Sequence, residues 1–519
     1  MTDLIIFNAD IITMDANRPD ACAVAVKEGK ISAIGDTQSV MGFKQSHTHM
    51  LDLKGKTLCP GFIDAHMHFR AIAESLIDMD LGPKTGIQSI DDIQAIIHKR
   101  VLKSPAGEWI RGVGYNEVYL AEERHPDRWD LDRVSPHHPV KLTHRSGYAH
   151  VLNSLGLKKA GITRETSDPE GGIIDRDLKT GDPSGILYGM GHYLSQRIPP
   201  VKQEELLRGV TLVDQRILSY GITSFQDASS RNNRERWHWF EELAAGGTLK
   251  PRVTMMLGLE GFKQHQEEAF SARADPCQLS LGGVKVIIDE TTGRLNPSQA
   301  ELNEIVFSIH EAGQQAVIHA IENSAVEAAI AALENALKIF PRSDHRHRIE
   351  HCSLCPPDLS KKIASLGVFV VTHPAFVYYN GDRYLKTIPS DQLKFLYPIS
   401  SLIKGGVYVA AGSDAPIITA DPLSGIYGAV TRSTDTGKTV LADEKIAVYD
   451  AIRMYTDFAA MSVFEEKIKG TISIEKCADF AVLSANPTRM QKDEIEDIDV
   501  EMTIVGGKTV WARDRLCNI

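Results

Sequence analysis

The sequence predicts an α/β chain: a (β/α)8 TIM-like barrel, a small β-sandwich built from both termini, and an insertion after the first barrel strand. Three observations predict it. Short apolar runs alternate with longer helical stretches through the middle of the chain, the pattern of βα units and a parallel sheet. Strand-type alternation marks the two ends and is absent between them. The first two barrel strands also lie too far apart in sequence for one crossover helix.

The opening alternates apolar and polar residues through Leu4 to Met14, Cys22 to Val26 and Lys30 to Ile34, with turns at Glu28-Gly29 and Gly35-Asp36, and predicts a small antiparallel sheet. The same pattern returns in Ala478 to Leu483 and in Thr503 to Trp511 around Gly506-Gly507. Residues 1–56 and 470–519 are therefore assigned to one β-sandwich domain. Residues 57–469 hold the barrel, with candidate strands at Thr57 to His68, Gly221 to Asp227, Arg252 to Leu257, Gly283 to Asp289, Gln315 to His319, Arg348 to His351, Val368 to Pro374 and Val407 to Asp414. Eight is the number that a closed barrel of this type requires. The long gap after His68 predicts an inserted region at about 75–205, with strand-like pieces at Trp109 to Gly114 and Pro139 to His144 and a turn-rich part from Gly171 to Gly185. A cap over the barrel mouth is the expected role.

At 519 residues, 43% hydrophobic and 24% charged, the chain has ordinary globular composition and more length than one typical domain needs. A net charge of −11 with no basic block argues against a nucleic-acid partner. The N-terminus reads as a strand, not a signal peptide, and no run reaches the roughly 18 to 20 apolar residues of a membrane span. The expectation is a cytoplasmic protein acting on a small molecule without a membrane partner, and barrel habits suggest a homodimer. Seven cysteines are an odd number, so they do not form a closed disulfide framework. The single C-x-x-C, Cys352 and Cys355, lacks the second pair that structural zinc usually needs. All seven are read as mostly reduced.

The histidines carry the chemistry. His66 and His68 end the first barrel strand, and the two-residue period of a strand turns both rings to one face. Two neutral imidazoles there can chelate an ion, although a lone His-x-His is more often just a surface pair. His319 ends the fifth candidate strand, His351 the sixth and Asp414 the eighth. Ligand-type side chains at the C-terminal ends of different strands converge where a barrel gathers its catalytic groups. Lys285 lies within the apolar fourth strand and needs a reason to be there. One is a carboxylate partner such as Asp289; the other is addition of CO2 to the neutral amine, giving a carbamate able to bridge two cations.

With these motifs, the opening Asn8 to Asp15, the Gly221 to Ser224 segment and the terminal Ala478 to Leu483, the sequence resembles the amidohydrolase superfamily over nearly its whole length, and within it the amidohydrolase-3 group. The resemblance implies a binuclear zinc centre. His66 and His68 would hold the more buried metal, carboxylated Lys285 would bridge, His319 and His351 would hold the second metal, and Asp414 would hold the hydrolytic water. The implied reaction is cleavage of an amide C–N bond, N-substituted or N-acyl, by a metal-bridging hydroxide, with Asp414 as general base and then acid. A mononuclear deaminase using His66, His68, His351 and Asp414 and a noncatalytic scaffold are the competing readings. Lys285 separates the first from the second, and the complete ligand set argues against the third.

The sequence departs from the group's pattern in several places. His319 is followed by Glu322-Asn323 where relatives carry Gly-Asp, Tyr148 stands in place of a histidine, and Glu290 replaces a glycine. Glu290 either meets a cationic substrate or faces solvent. His373, before Pro374 on the seventh strand, either touches substrate or is structural, and Tyr378, Tyr379 and Arg383 on the same segment are candidate pocket lining. Asp227 either supports the site or caps a turn. Asp344, His345 and His347 precede the sixth strand and are expected to be exposed and without function.

Overall fold

The computed structural model describes residues 2–513 apart from 170, 271–276 and 291–292. Eight parallel strands follow one another in chain order around a single sheet: Phe62–Met67, Ile222–Asp227, Arg252–Leu257, Leu279–Ile287, Ala316–Ala320, Arg348–His351, Phe369–Thr372 and Val409–Ala411. The first three are buried along their whole length, as expected of strands covered by helices on the outside and by the barrel core within. Helices stand between successive strands, among them Arg234–Ala245, Leu259–Glu267, Gln299–Glu311, Asn323–Ile339 and Pro357–Leu366. Local sequence explains their limits and faces. Ser298 and Glu301 form a reciprocal capping box at the start of Gln299–Glu311. Asn323–Ile339 buries Val326, Ile330 and Leu333 at helical spacing.

The first and eighth strands meet at their C-terminal ends, where Asp414 N donates to His66 O at 2.7 Å and His68 N to Ala415 O at 2.9 Å. Glycine at 412 is required for this approach, because an added Cβ would lie 2.6 Å from His66 N and 2.7 Å from His66 Cβ. The nearly closed barrel matches the predicted fold class.

One predicted strand divides. Thr57 to His68 is not continuous: Thr57–Pro60 pairs antiparallel with Phe480–Leu483 in the terminal domain, and Phe62–Met67 enters the barrel. Gly61 makes the transition, its N–H donating to Asp479 O at 2.9 Å, and a Cβ on it would sit 2.1 Å from Thr223 Oγ1. The terminal domain has a four-stranded sheet from Leu4–Phe7, Ala23–Lys27, Lys30–Gly35 and His49–Asp52, and a five-stranded sheet that joins Asp10–Ile11 and Thr57–Pro60 to Phe480–Leu483, Val500–Val505 and Lys508–Ala512. The first sheet is mixed, not purely antiparallel, because His49–Asp52 pairs parallel with Leu4–Phe7. Both chain ends supply one core, with Ile6, Val24 and Leu58 packed with Phe480, Val482 and Ile504.

Residues 70–213 form a compact unit of their own around a six-stranded sheet. The expected pieces appear as Ile110–Tyr115 and Val140–His144, paired in parallel. The turn-rich stretch is more ordered than its composition suggested, since Ile173–Arg176 and Pro183–Tyr188 pair as an antiparallel hairpin. Among the described residues no helix is long and apolar enough to cross a membrane.

His345 and His347 depart from expectation: both are buried, and Asp344 alone of the three is exposed. The reason is a closed hydrogen-bond chain. His347 Nδ1 accepts from Ala316 N at 2.9 Å, leaving its Nε2–H to donate to His310 Nδ1 at 2.8 Å, and His310 Nε2–H donates to Phe340 O at 2.6 Å. His345 Nδ1 accepts from His347 N and its Nε2–H donates to Leu366 O. Burial pushes His347 down to about 2 and lowers His345, which favours the neutral form of both rings.

Candidate metal centre

The C-terminal ends of the barrel strands bring six of the predicted groups together. His66 lies inside the first strand and His68 just beyond it, their ring centroids 5.5 Å apart. His68 Nε2 is 3.1 Å from Asp414 Oδ1, and His66 Nε2 is 3.6 Å from the same oxygen. Lys285, buried in the fourth strand, places Nζ 3.4 Å from His66 Nε2. The His351 ring lies 5.1 Å from that of His66 and 4.2 Å from that of His319. His351 and Asp414 both hold left-handed backbone, at φ 67° and 56°. For residues with a Cβ that conformation costs energy, and such positions concentrate at functional sites.

Two groups of donor atoms lie close enough to hold an ion, His66 with His68 and Asp414, and His66 with His351 and His373, the atoms of each group within 4.8 Å of one another. His319 is adjacent to the second group through His351 without belonging to it. The donor chemistry fits a divalent cation. Burial holds His66 and His351 well below the ordinary histidine value, lowers His373, and pushes His319 down to about 3, so the rings are neutral and keep a lone pair. Among the described residues the Nε2 atoms of His351 and His373 are buried without a hydrogen-bond partner, a costly arrangement for a polar atom unless another group takes the lone pair. Burial opposes ionisation of Asp414, but the hydrogen bond and charge of His68 outweigh it, and the carboxyl stays below its ordinary value. Burial lowers Lys285 to about 8 against the pull of Glu350 and Asp414.

The sequence reading passed over what holds His66. Its Nδ1 meets Glu350 Oε2 at 2.5 Å, which directs Nε2 into the cluster. Glu350 is in turn gripped by Arg348, with Nε on Oε1 and Nη2 on Oε2, both at 2.9 Å. Arg348 also donates to Ala65 O, Gln226 Oε1 and Ser462 Oγ. Both charged side chains are wholly buried. The signal was present in the strand Arg348-Ile349-Glu350-His351: two charges at period two in a strand otherwise expected to be core. A second brace is Asp64, which accepts from His66 N at 3.0 Å and Ser413 N at 3.1 Å and which burial raises to about 7.

The remaining candidates lie elsewhere. Asp227 accepts from Phe69 N at 2.9 Å, just after His68, and from Ser229 N, so it joins the first two strands and also closes its own turn. Glu290 accepts a hydrogen bond from the Ser324 hydroxyl. The Tyr379 hydroxyl lies 3.1 Å from Ser424 Oγ, on the chain that leads to the helix-capping Asp421. Tyr148 belongs to the 70–213 unit, its ring 6.4 Å from that of Tyr188. Cys352 and Cys355 are free thiols buried beside His351.

The sequence profile of the amidohydrolase family matches residues 49–511. The chain belongs to the amidohydrolase family. As such it is a metal-dependent hydrolase acting on carbon–nitrogen bonds, with the histidine cluster as its candidate metal-binding site. This amidohydrolase is 28% identical over 468 residues to the N-substituted formamide deformylase of Arthrobacter pascens, covering 84% of this chain and 85% of that protein. It is 28% identical over 432 residues to YtcJ of Bacillus subtilis strain 168, covering 79% and 80% of the two chains. In fold it is similar to an uncharacterised metal-dependent hydrolase from Pyrococcus horikoshii, with a TM-score of 0.75, 21% identity, and coverage of 94% of this chain and 99% of the other.

Proposed function

We propose that this amidohydrolase cleaves an amide, N-substituted or N-acyl, at a centre of two divalent cations held by His66, His68, Lys285, His319, His351 and Asp414. The observation that carries the reading is the convergence of His66, His68 and Asp414 in one donor group with His351 and His373 beside it, next to buried Lys285 and the Nε2 of His351, which has no hydrogen-bond partner among the described residues; the one lone pair of His66 goes to a single cation. A nitrogen-rich set with one carboxylate suits zinc. Lys285 joins it as a carbamate: a buried amine lowered to about 8 is neutral in an appreciable fraction of molecules near neutral pH, and the neutral amine is the form that adds CO2. The carbamate contributes negative charge where an ammonium would repel cations. The bound cations supply an acidified water and polarisation of the scissile carbonyl.

The side chains do the rest. Asp414, ionised and 3.1 Å from His68, takes a proton as the carbonyl is attacked and returns it to the departing amine nitrogen. Glu350, clamped by Arg348, keeps the proton of His66 on Nδ1 and its lone pair on Nε2. The name of the Arthrobacter relative supports an N-substituted formamide as the first substrate class to try.

The test is amine release from a panel of N-substituted formamides and longer N-acyl amines by zinc-loaded protein. Turnover of at least one class is expected, and Asp414→Asn should reduce kcat by about 10²–10⁴-fold, the usual range for losing a positioned acid–base group. Ammonia release from amino-substituted heterocycles, with every amide inert, would contradict amide cleavage.

A further inference from the structure

His373 follows the seventh barrel strand and is wholly buried. Its Nδ1 lies 2.8 Å from the carbonyl oxygen of Gly412. A carbonyl only accepts, so Nδ1 carries the proton and Nε2 the lone pair. Nε2 is buried with no hydrogen-bond partner among the described residues. His373 also offers one ring nitrogen to a group with His66 and His351 whose ligand atoms lie within 4.8 Å of one another. The rings of His66 and His351 lie 5.1 and 4.6 Å away.

A substrate-contact or packing role accounts less well for these facts. A packing histidine of this burial satisfies both nitrogens, as His310, His345 and His347 do in the same barrel. A substrate-facing histidine has no need to share a 4.8 Å cluster with two rings already turned toward the metal centre. The Gly412 carbonyl plays the part for His373 that Glu350 plays for His66, setting the tautomer from behind the ring.

We infer that His373 is an additional metal ligand, joining His66 and His351 through Nε2. The inference rests on the metal-dependent reading above and adds a donor to it. A neutral imidazole brings no charge, so it would favour a nitrogen-preferring ion such as zinc or cobalt over magnesium without changing the net charge of the centre.

The test is Co2+ and Zn2+ titration of apo protein, wild type beside His373→Gln and His373→Cys, followed by chelator competition and visible absorption of the Co2+ forms, with thermal unfolding of each apo protein as the check on folding. A supporting glutamate or carbonyl behind a ligand is commonly worth about 10–100-fold in metal affinity, so loss of a direct donor should weaken one site by at least that much in His373→Gln. The Co2+ bands should shift with it. In His373→Cys a thiolate at this position should give an intense sulfur-to-cobalt charge-transfer band, a readout that does not depend on activity or on the Gln variant folding. Unchanged affinity and spectrum in His373→Gln, or a cysteine variant that binds Co2+ without the band, would overturn the assignment. Wild-type protein that takes up neither ion would instead bring down the metal reading on which it rests.

Discussion

Glu350 is the residue on which most of the centre's geometry depends. It is fully buried, bonded to His66 on one side and paired with Arg348 on the other. Glu350→Gln keeps the shape and removes the charge, leaving Arg348 as an uncompensated cation in the core. Breaking one partner of such a pair costs about 3–5 kcal/mol, so the variant should unfold at clearly lower denaturant, as equilibrium unfolding can measure. Metal affinity should fall by about 10–100-fold in chelator competition, because the His66 tautomer is no longer held. Lys285 gives a pH prediction. Its folded value, depressed to about 8 by burial, makes the reactive neutral amine scarce at pH 6 and predominant at pH 9. Reconstitution of apo protein with zinc at a fixed concentration of dissolved CO2 should therefore quicken as pH rises through about 8 and level off above. A rate flat between pH 6 and 9 would speak against carbamate formation. Residue-scale roles were only partly legible. The metal-type residues stood out by chemical type at strand ends, whereas Glu350 and Arg348 acquire meaning only when the barrel brings the first and sixth strands to one point.

At the scale of elements, the barrel's closure and the metal centre are one construction. Gly412 lies against His66 so closely that its α-hydrogen occupies the only space available. Gly412→Ala would force the first and eighth strands apart, at an overpacking cost of about 1–3 kcal/mol, and would displace His66 from Asp414. The expected result is a lower melting temperature together with reduced metal retention on dialysis; a variant that melts lower yet holds metal normally would separate closure from the centre. The strands themselves were legible in outline, because buried parallel strands read as short apolar runs whatever surrounds them. Their ends were less so. Thr57 to His68 reads as one strand, and nothing in its residue order shows that Gly61, where an added Cβ would sit 2.1 Å from the Thr223 side chain, is the point at which the chain leaves one sheet and enters another. The burial of His345 and His347 is hidden for a related reason, since a polar run before a strand gives no sign that backbone groups and the His310 ring will satisfy both imidazoles inside.

For the whole molecule, alternating strands and helices predicted the barrel, and matching β patterns at the two ends predicted a sheet domain built from both termini, which the common core of Ile6, Val24, Phe480 and Ile504 bears out; Thr57–Pro60, read as barrel, joins that domain instead. The chemistry followed from where histidines fell along those strands. What sequence could not supply was the relation between donor atoms: that His66 belongs to two groups, that His319 stands beside one without joining it, and that His373 carries an unpartnered lone pair. Such relations depend on register and ring orientation, which residue order does not encode locally. A two-cation centre of the kind proposed requires Lys285. It is tested most directly by elemental analysis of metal per chain, in protein prepared with zinc and bicarbonate, for wild type and Lys285→Ala side by side. About two metals are expected in the wild type, falling to one or none in the variant; one metal in both proteins would rule out the two-cation centre.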